Sequence, residues 1–440
     1  MTKEKITRAQ WLTLLATTLA WGLDGFDGSL FTLVVGPAMT DVLSNGGAAP
    51  TPDQVTYYGG IAVSLYLLGW AIGAVILGVL ADYFGRLRVL AAGILTFALF
   101  TALTAVATDF WQVAVFRFIA GMGSGVEYPV GATLIAEVWN NRYRARAASI
   151  MASGYAAGYF LASVTYGLIG SFGWRVTMAV TLAPALLVFV LRRFVQEPET
   201  AVAARRQRRL QRDTGSERPR FTLVELFSPS VRRTTILAMV VCAGSLVSFW
   251  SITTWAPQMI RNLGAAPDDA ITQVALGTAL LNLGGFLGYA SWGFIADVVG
   301  RRPAFAISIA CMWGGSFALF PWGWGFGAYL VVLPVIGFGI FGTFSGCAVW
   351  FPELFAPPIR ATAMSFTNSF GRILTAPGPV FAGVIAASWF GGSLPQAVMV
   401  VASFGLVAAI GVLLLPETRG RMVHGWTPDT TATRQAEGAG

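Results

Sequence analysis

Long apolar runs dominate the chain, and its polar residues collect between them. Twelve such runs lie near 10–37, 56–80, 89–107, 111–138, 146–170, 174–194, 234–258, 270–296, 304–320, 326–352, 361–388 and 393–415. Each is long enough for a helix to cross a hydrocarbon core, which takes about 17–25 residues. Strict alternation of apolar and polar positions is absent, so the pattern predicts helices and not the strands of a barrel. The expectation is an all-α integral membrane protein of about 12 transmembrane helices. The first run is too long for the apolar region of a cleavable signal, which spans about 7–15 residues.

The polar punctuation repeats. GVLADYFGRLR at 78–88 returns as WGFIADVVGRR at 292–302. AEVWNNRYRARAAS, after the fourth run, returns as PELFAPPIRATAMS after the tenth, matching Glu137 with Glu353 and Arg144 with Arg360 at an offset of 216 positions. The sixth and twelfth runs end in QEPET and LPETRG. Several motifs at nearly one offset imply a duplicated six-helix unit, related by a pseudo-two-fold axis along the membrane normal. The predicted division is a first bundle at 1–194, a linker at 195–233, a second bundle at 234–416 and a tail at 417–440. The linker contains RRQRRLQR, suits a tether held to anionic lipid, and is too short for a catalytic domain.

Composition agrees with the pattern. Hydrophobic residues make up 55% and charged residues 11%, with a mean hydropathy of +0.65, whereas soluble proteins carry about 25% charged residues. The net charge of +8 does not point to nucleic acid. Of the 29 Lys and Arg, Arg175 and Arg261 fall in loops of one side, Arg117 and Arg372 fall within spans, and all the rest lie on the other side. That asymmetry predicts both termini in the cytoplasm, and the expected location is the cell (inner) membrane. Cys242, Cys311 and Cys347 sit in apolar runs and read as packing, not as a disulfide framework. The single histidine, His424, is in the tail, so proton chemistry at membrane depth falls to carboxylates, and no nucleophile–base pair can be built around an imidazole.

Charges inside the runs are therefore the candidate chemistry, because each costs roughly 2.5–3.5 kcal/mol to insert. RFIAGMGSGVEYP holds Arg117 and Glu127, about 15 Å apart in rise and about 80° apart in rotation, with glycines between them that admit a neighbouring backbone. WGLDGFDGS holds Asp24 and Asp27, one helical turn apart. Two carboxylates in hydrocarbon do not both stay ionised cheaply and should titrate as a coupled unit. The alternatives are structural: Arg–carboxylate pairs between helices, or one Asp neutralised by Arg117 while the other caps a helix broken at Gly25 or Gly28. In the second half the counterparts of Arg117 and Glu127 are Leu333 and Thr343, and the one midspan charge is Arg372, a turn after Asn368. A buried guanidinium with no acidic residue inside the spans of its own half suits a carboxylate ligand held by two parallel bonds. Tyr66, Tyr155, Tyr159, Ser248, Trp250 and Trp255 add rings and hydroxyls for a small polar anion.

These features resemble the major facilitator superfamily over essentially the full chain. Gly78, Asp82, Gly85 and Arg86 match that family's signature after span 2, with Tyr83 where a basic residue is common. The resemblance implies a cytoplasmic gate built from this loop with Glu137, Arg144 and Arg146, and likewise from Asp297, Arg301, Glu353 and Arg360. LDGFD and RFIAGMGSGVEYP are similar to the sialate/lactate proton symporters and to aromatic-acid and other metabolite:proton symporters, with Pro129 where many have Gly. The expectation is proton-coupled symport of a small organic carboxylate by alternating access. Asp24, Asp27 and Glu127 would carry the proton, while Arg372, Arg117, Asn368, Tyr155 and Tyr159 would hold the substrate. The expected partners are a small organic anion, a proton and the lipid bilayer, with the chain acting as a monomer and with no cofactor, metal or nucleic acid. A sugar or polyol:proton symporter of the same fold and a membrane sensor that does not transport remain the alternatives.

Overall fold

The structure, a computed structural model, describes residues 6–44, 48–139, 141–182, 225–263, 266–355 and 357–418. All regular elements among them are helical. The first half holds α1 (Arg8–Ser44), α2 (Pro52–Phe84), α3 (Arg86–Thr104), α4 (Phe110–Ser124), α5 (Glu127–Val138), α6 (Asn141–Ile169) and α7 (Trp174–Ala179). The second holds α8 (Arg232–Arg261), α9 (Pro267–Val299), α10 (Arg301–Ile309), α11 (Gly315–Leu319), α12 (Phe326–Leu354), α13 (Pro357–Thr375), α14 (Gly378–Trp389), α15 (Leu394–Ala402) and α16 (Phe404–Leu414). Nine helices among the described residues are long and apolar enough to cross a membrane. The other predicted spans correspond to the α4–α5 pair, to α6, and to α7 with its continuation. Residues 183–194, most of the linker and the tail from 419 lie outside the described residues.

Two of the interrupted spans carry a charge near the break. The fourth breaks between Ser124 and Glu127, and the eleventh between Thr375 and Gly378. Proline explains both. Pro129 has no N–H for the Gly125 carbonyl four residues back, and Pro377 and Pro379 fail Ile373 and Thr375 in the same way. Helix α1, by contrast, runs unbroken through Gly25 and Gly28, so the aspartates on it do not cap a helix end.

The internal repeat is visible in the packing. A Cβ on Gly121 would lie 2.1 Å from the Tyr66 carbonyl oxygen, and one on Gly337, 216 positions later, 1.8 Å from that of Leu281. The same holds for Gly73 on the Met122 carbonyl and Gly288 on that of Phe338, at 2.1 and 2.2 Å. Without a hydrophobic drive between helices in lipid, such close backbone approach is what joins them. The loops repeat too, since Gly85 and Gly300 both take positive φ, 107° and 103°, while closing the preceding helix. That left-handed turn is open to glycine at little cost.

The halves meet along the membrane end remote from the termini. There Arg261 at the end of α8 donates to the Leu33 carbonyl and the Tyr166 hydroxyl, 3.0 and 2.8 Å away. A Cβ on Gly60 of α2 would touch the Pro379 carbonyl beside α14 at 2.8 Å. Near mid-depth, Asn282 of α9 donates to the Tyr159 carbonyl and the Ser163 hydroxyl, each at 3.1 Å.

Candidate functional site

The two breaks place one charge each. Glu127 occupies the first turn of α5 and Arg372 the last turn of α13. An exposed helix N-terminus carries partial positive charge and a C-terminus partial negative charge, so each ionised side chain meets a favourable field. Both are buried, with 1% and 3% of their surface exposed.

Around Glu127, α1, α2, α3 and α4 assemble an acid network. Asp27 Oδ2 accepts from the Thr101 hydroxyl at 3.0 Å, and that hydroxyl accepts from Arg117 Nη1 at 2.9 Å. The direct Arg117–Asp27 separation is 3.8 Å. The guanidinium is also sandwiched between the rings of Phe31 and Tyr66, 4.4 and 4.5 Å from their centroids. The Tyr66 hydroxyl donates to Asp24 Oδ1 at 3.3 Å and shares a 3.1 Å bond with the Ser124 hydroxyl. Glu127 is near enough to interact electrostatically with Asp24 and Asp27, yet neither of its oxygens has a hydrogen-bond partner. An isolated carboxylate in such surroundings is far costlier than a neutral carboxylic acid.

Beside this network lies a narrow cleft between the halves. Arg372, Asn368, Trp21, Tyr128, Tyr289 and Phe344 line its deep part, and Phe351 and Met364 carry it toward the end that bears the termini. Among the described residues Arg372 makes no ion pair. Its guanidinium lies 4.3 Å from the centroid of the Trp70 ring, and its Nε has no hydrogen-bond partner. Asn368 Oδ1 and Trp21 Nε1 are likewise buried and unpartnered. Unused donors and an acceptor among aromatic walls are the usual make-up of a site for a small polar ligand.

Arg372 and Asn368 thus stand together on the cleft as the sequence suggests. Arg117, expected to hold substrate, does not line it; Thr101, Asp27 and two rings engage it instead. Tyr155 and Tyr159 also fall short of the lining. Tyr155 stacks on Trp21 with centroids 4.6 Å apart, and its hydroxyl lies 3.4 Å from that of Tyr159, so the pair backs the cleft wall. Sequence reasoning misses Trp21, Trp70, Thr101, Ser124, Tyr128 and Tyr289. Trp21 carries a signal, lying one turn before Asp24 on the same face.

At the terminal end, Arg301 donates from Nε and Nη2 to both oxygens of Glu353, at 3.1 and 2.9 Å, and from Nη1 to Asp297 at 2.8 Å. Glu417 accepts from the backbone of Arg301 and Arg302 at 2.9 and 3.0 Å. This cluster ties α9, α10, α12 and the end of the second half to one another. A Cβ on Gly78 would meet no atom within 4 Å. The side chains of Asp82, Arg86, Glu137, Arg144, Arg146 and Arg360 lie outside what the structure describes.

The repeat, the paired glycine turns and the charged loops find their counterpart in a family model. The Major Facilitator Superfamily model matches residues 17–379. The chain belongs to that superfamily. It is accordingly a multi-pass membrane transporter and not an enzyme. A superfamily relative in Cupriavidus pinatubonensis, a probable 4-methylmuconolactone transporter, is 31% identical over 93% of this chain and 91% of its own length. The cis,cis-muconate transport protein of Acinetobacter baylyi is 29% identical over 82% and 86%. Among solved structures, a partially occluded inward-open form of the xylose transporter XylE from E. coli has a TM-score of 0.72 at 17% identity, covering 95% of this chain and all of that one. At that identity the likeness is one of fold.

Proposed function

We propose that this superfamily member carries a small organic carboxylate together with a proton, with both termini in the cytoplasm of a cell whose inner membrane it spans. The observation that carries the reading is Arg372, a buried cation on an aromatic cleft that makes no ion pair among the described residues, Asp24 reaching it only electrostatically. Leaving a buried charge unpaired costs several kcal/mol, and an incoming carboxylate relieves it through two parallel N–H···O bonds. Asn368 and the Trp21 N–H add polar contacts beside it. Relatives named for muconate and a muconolactone support an organic-acid substrate, and no observation favours a sugar.

Protons enter through the acid network. Glu127, unpartnered and beside Asp24, is its proton carrier, and the Tyr66 hydroxyl joins Asp24 to Ser124. Asp27 is committed to Arg117 through Thr101. A protonated network and a carboxylate on Arg372 together leave the cleft without net charge, the condition under which the halves exchange faces. Coupling requires that each ligand favour the state favoured by the other.

The test is uptake by proteoliposomes holding the purified chain, using labelled benzoate, lactate and muconate with and without an imposed pH gradient. Gradient-driven accumulation of at least one acid is expected. In Glu127→Gln the accumulation should vanish while exchange of labelled for unlabelled substrate continues. Accumulation that survives in Glu127→Gln would remove the proton role from that residue.

A further inference from the structure

Trp70 belongs to the first half, yet its ring lies against the guanidinium of the second half's candidate anion site. The indole is buried, and its backbone is clamped: Cβ atoms on Gly121 and Gly125 of the adjoining span would lie 3.0 and 2.6 Å from the Trp70 nitrogen and carbonyl oxygen. Tyr66 and Tyr155 approach the ring from its own half, with centroids 6.0 and 6.3 Å away. Trp250 of α8 meets it edge-on from the other half at 5.8 Å. The ring therefore has little freedom to turn.

We propose that Trp70 is a positioning residue for the anion site, supplied by the opposite half of the molecule. A guanidinium stacked on an aromatic face spends its flat side on the ring and keeps every N–H in the plane around its edge. That edge is what a carboxylate recognises through two parallel bonds. Trp70 thus fixes the plane of Arg372 and leaves its donors turned to the cleft, beside the unpartnered Asn368 Oδ1. Since ring and cation come from different halves, anion affinity depends on the halves meeting at this depth. The same ring neighbours Tyr66, whose hydroxyl bonds Asp24 and whose face covers Arg117. A chain of contacts through Arg117, Tyr66, Trp70 and Arg372 then runs from the acid network to the anion site, its two rings tilted at 50° to each other. The inference rests on the carboxylate reading of the cleft.

Binding of labelled lactate, benzoate and 4-hydroxybenzoate to the full chain in detergent tests it, alongside exchange kinetics in proteoliposomes. Trp70→Leu should weaken binding of the acid that the wild type binds by roughly five- to thirtyfold, the span a desolvated cation–ring contact represents, and Trp70→Phe by about threefold or less. The maximal exchange rate at saturation should stay within about twofold in both. Fluorinated tryptophans placed at position 70 keep the ring's shape while draining its negative face, so affinity should fall stepwise with each fluorine even if the leucine variant misfolds. Equal losses in Leu and Phe, indifference to fluorination, or a fall in maximal rate at unchanged affinity would each overturn the positioning role alone. Failure of the wild type to bind any of the three acids would overturn it together with the carboxylate reading.

Discussion

Arg117 shows how a buried charge is made tolerable in a membrane span. One anion stands 3.8 Å away, a threonine hydroxyl bridges the gap by donating to the acid and accepting from the base, and two rings cover the flat faces. Removing one member of such a buried pair leaves the other uncompensated and typically costs about 3–5 kcal/mol, whereas removing both is far milder. Asp27→Asn should therefore lower the thermal unfolding midpoint in detergent strongly, and Asp27→Asn combined with Arg117→Gln should recover part of the loss. An additive double variant would mean that the two charges do not support each other. Arg372 is the opposite case: it lies over a ring but makes no ion pair among the described residues, and that difference separates a structural arginine from a candidate ligand-binding one.

At the level of helices, the glycine contacts make a sharp comparison. A methyl group on Gly337 would sit 1.8 Å from the Leu281 carbonyl oxygen, so α12 must retreat from α9 to admit it, while Gly78 has open space around the same position. Overpacking of this kind costs about 1–3 kcal/mol. Gly337→Ala should lower the unfolding midpoint measurably and Gly78→Ala should not. Equal midpoints would mean that the α9–α12 approach adjusts freely. The spans themselves are legible in the sequence because apolar length is a strong local signal, and the offset of Gly337 from Gly121 carries the repeat as well. The breaks at 125–126 and 376–377 are not, although Pro129, Pro377 and Pro379 mark them, because proline is tolerated inside membrane helices and does not by itself announce an interruption. The partners of Arg117 are only half legible. Asp27 can be paired with it by charge, but Thr101 is a neutral residue on another helix, and its role depends on how α3 packs. The aromatic cleft wall is hidden for a related reason, since a buried Trp21 and an interfacial tryptophan look alike in sequence.

Among the described residues the halves are packed together at the end remote from the amino terminus, and the lining of the cleft continues the other way, to Phe351 and Met364. Alternating access requires that this closure be temporary, and the packing suggests where to fix it. A Cβ on Gly383 of α14 would stand 3.2 Å from Thr56 Cγ2 and 3.4 Å from the Thr56 backbone carbonyl at the start of α2. The two positions thus lie in contact, and a disulfide, which needs Cβ atoms about 3.5–4.5 Å apart, is expected to form between cysteines placed there. Thr56 belongs to the first half and Gly383 to the second, so the link would hold the two together on that side. The native Cys242, Cys311 and Cys347 are replaced by serine first, so that only the new pair can react. With Thr56→Cys and Gly383→Cys together, a mild oxidant should stop proteoliposome transport, and a reductant should restore it. Either cysteine alone should leave transport unaffected by the oxidant. Binding of a carboxylate from the terminal side should survive in the crosslinked protein, because the lining of the cleft lies away from the link. A crosslinked chain that still transports at the full rate would show that the halves need not part at α2 and α14, and that the closed end is not a gate.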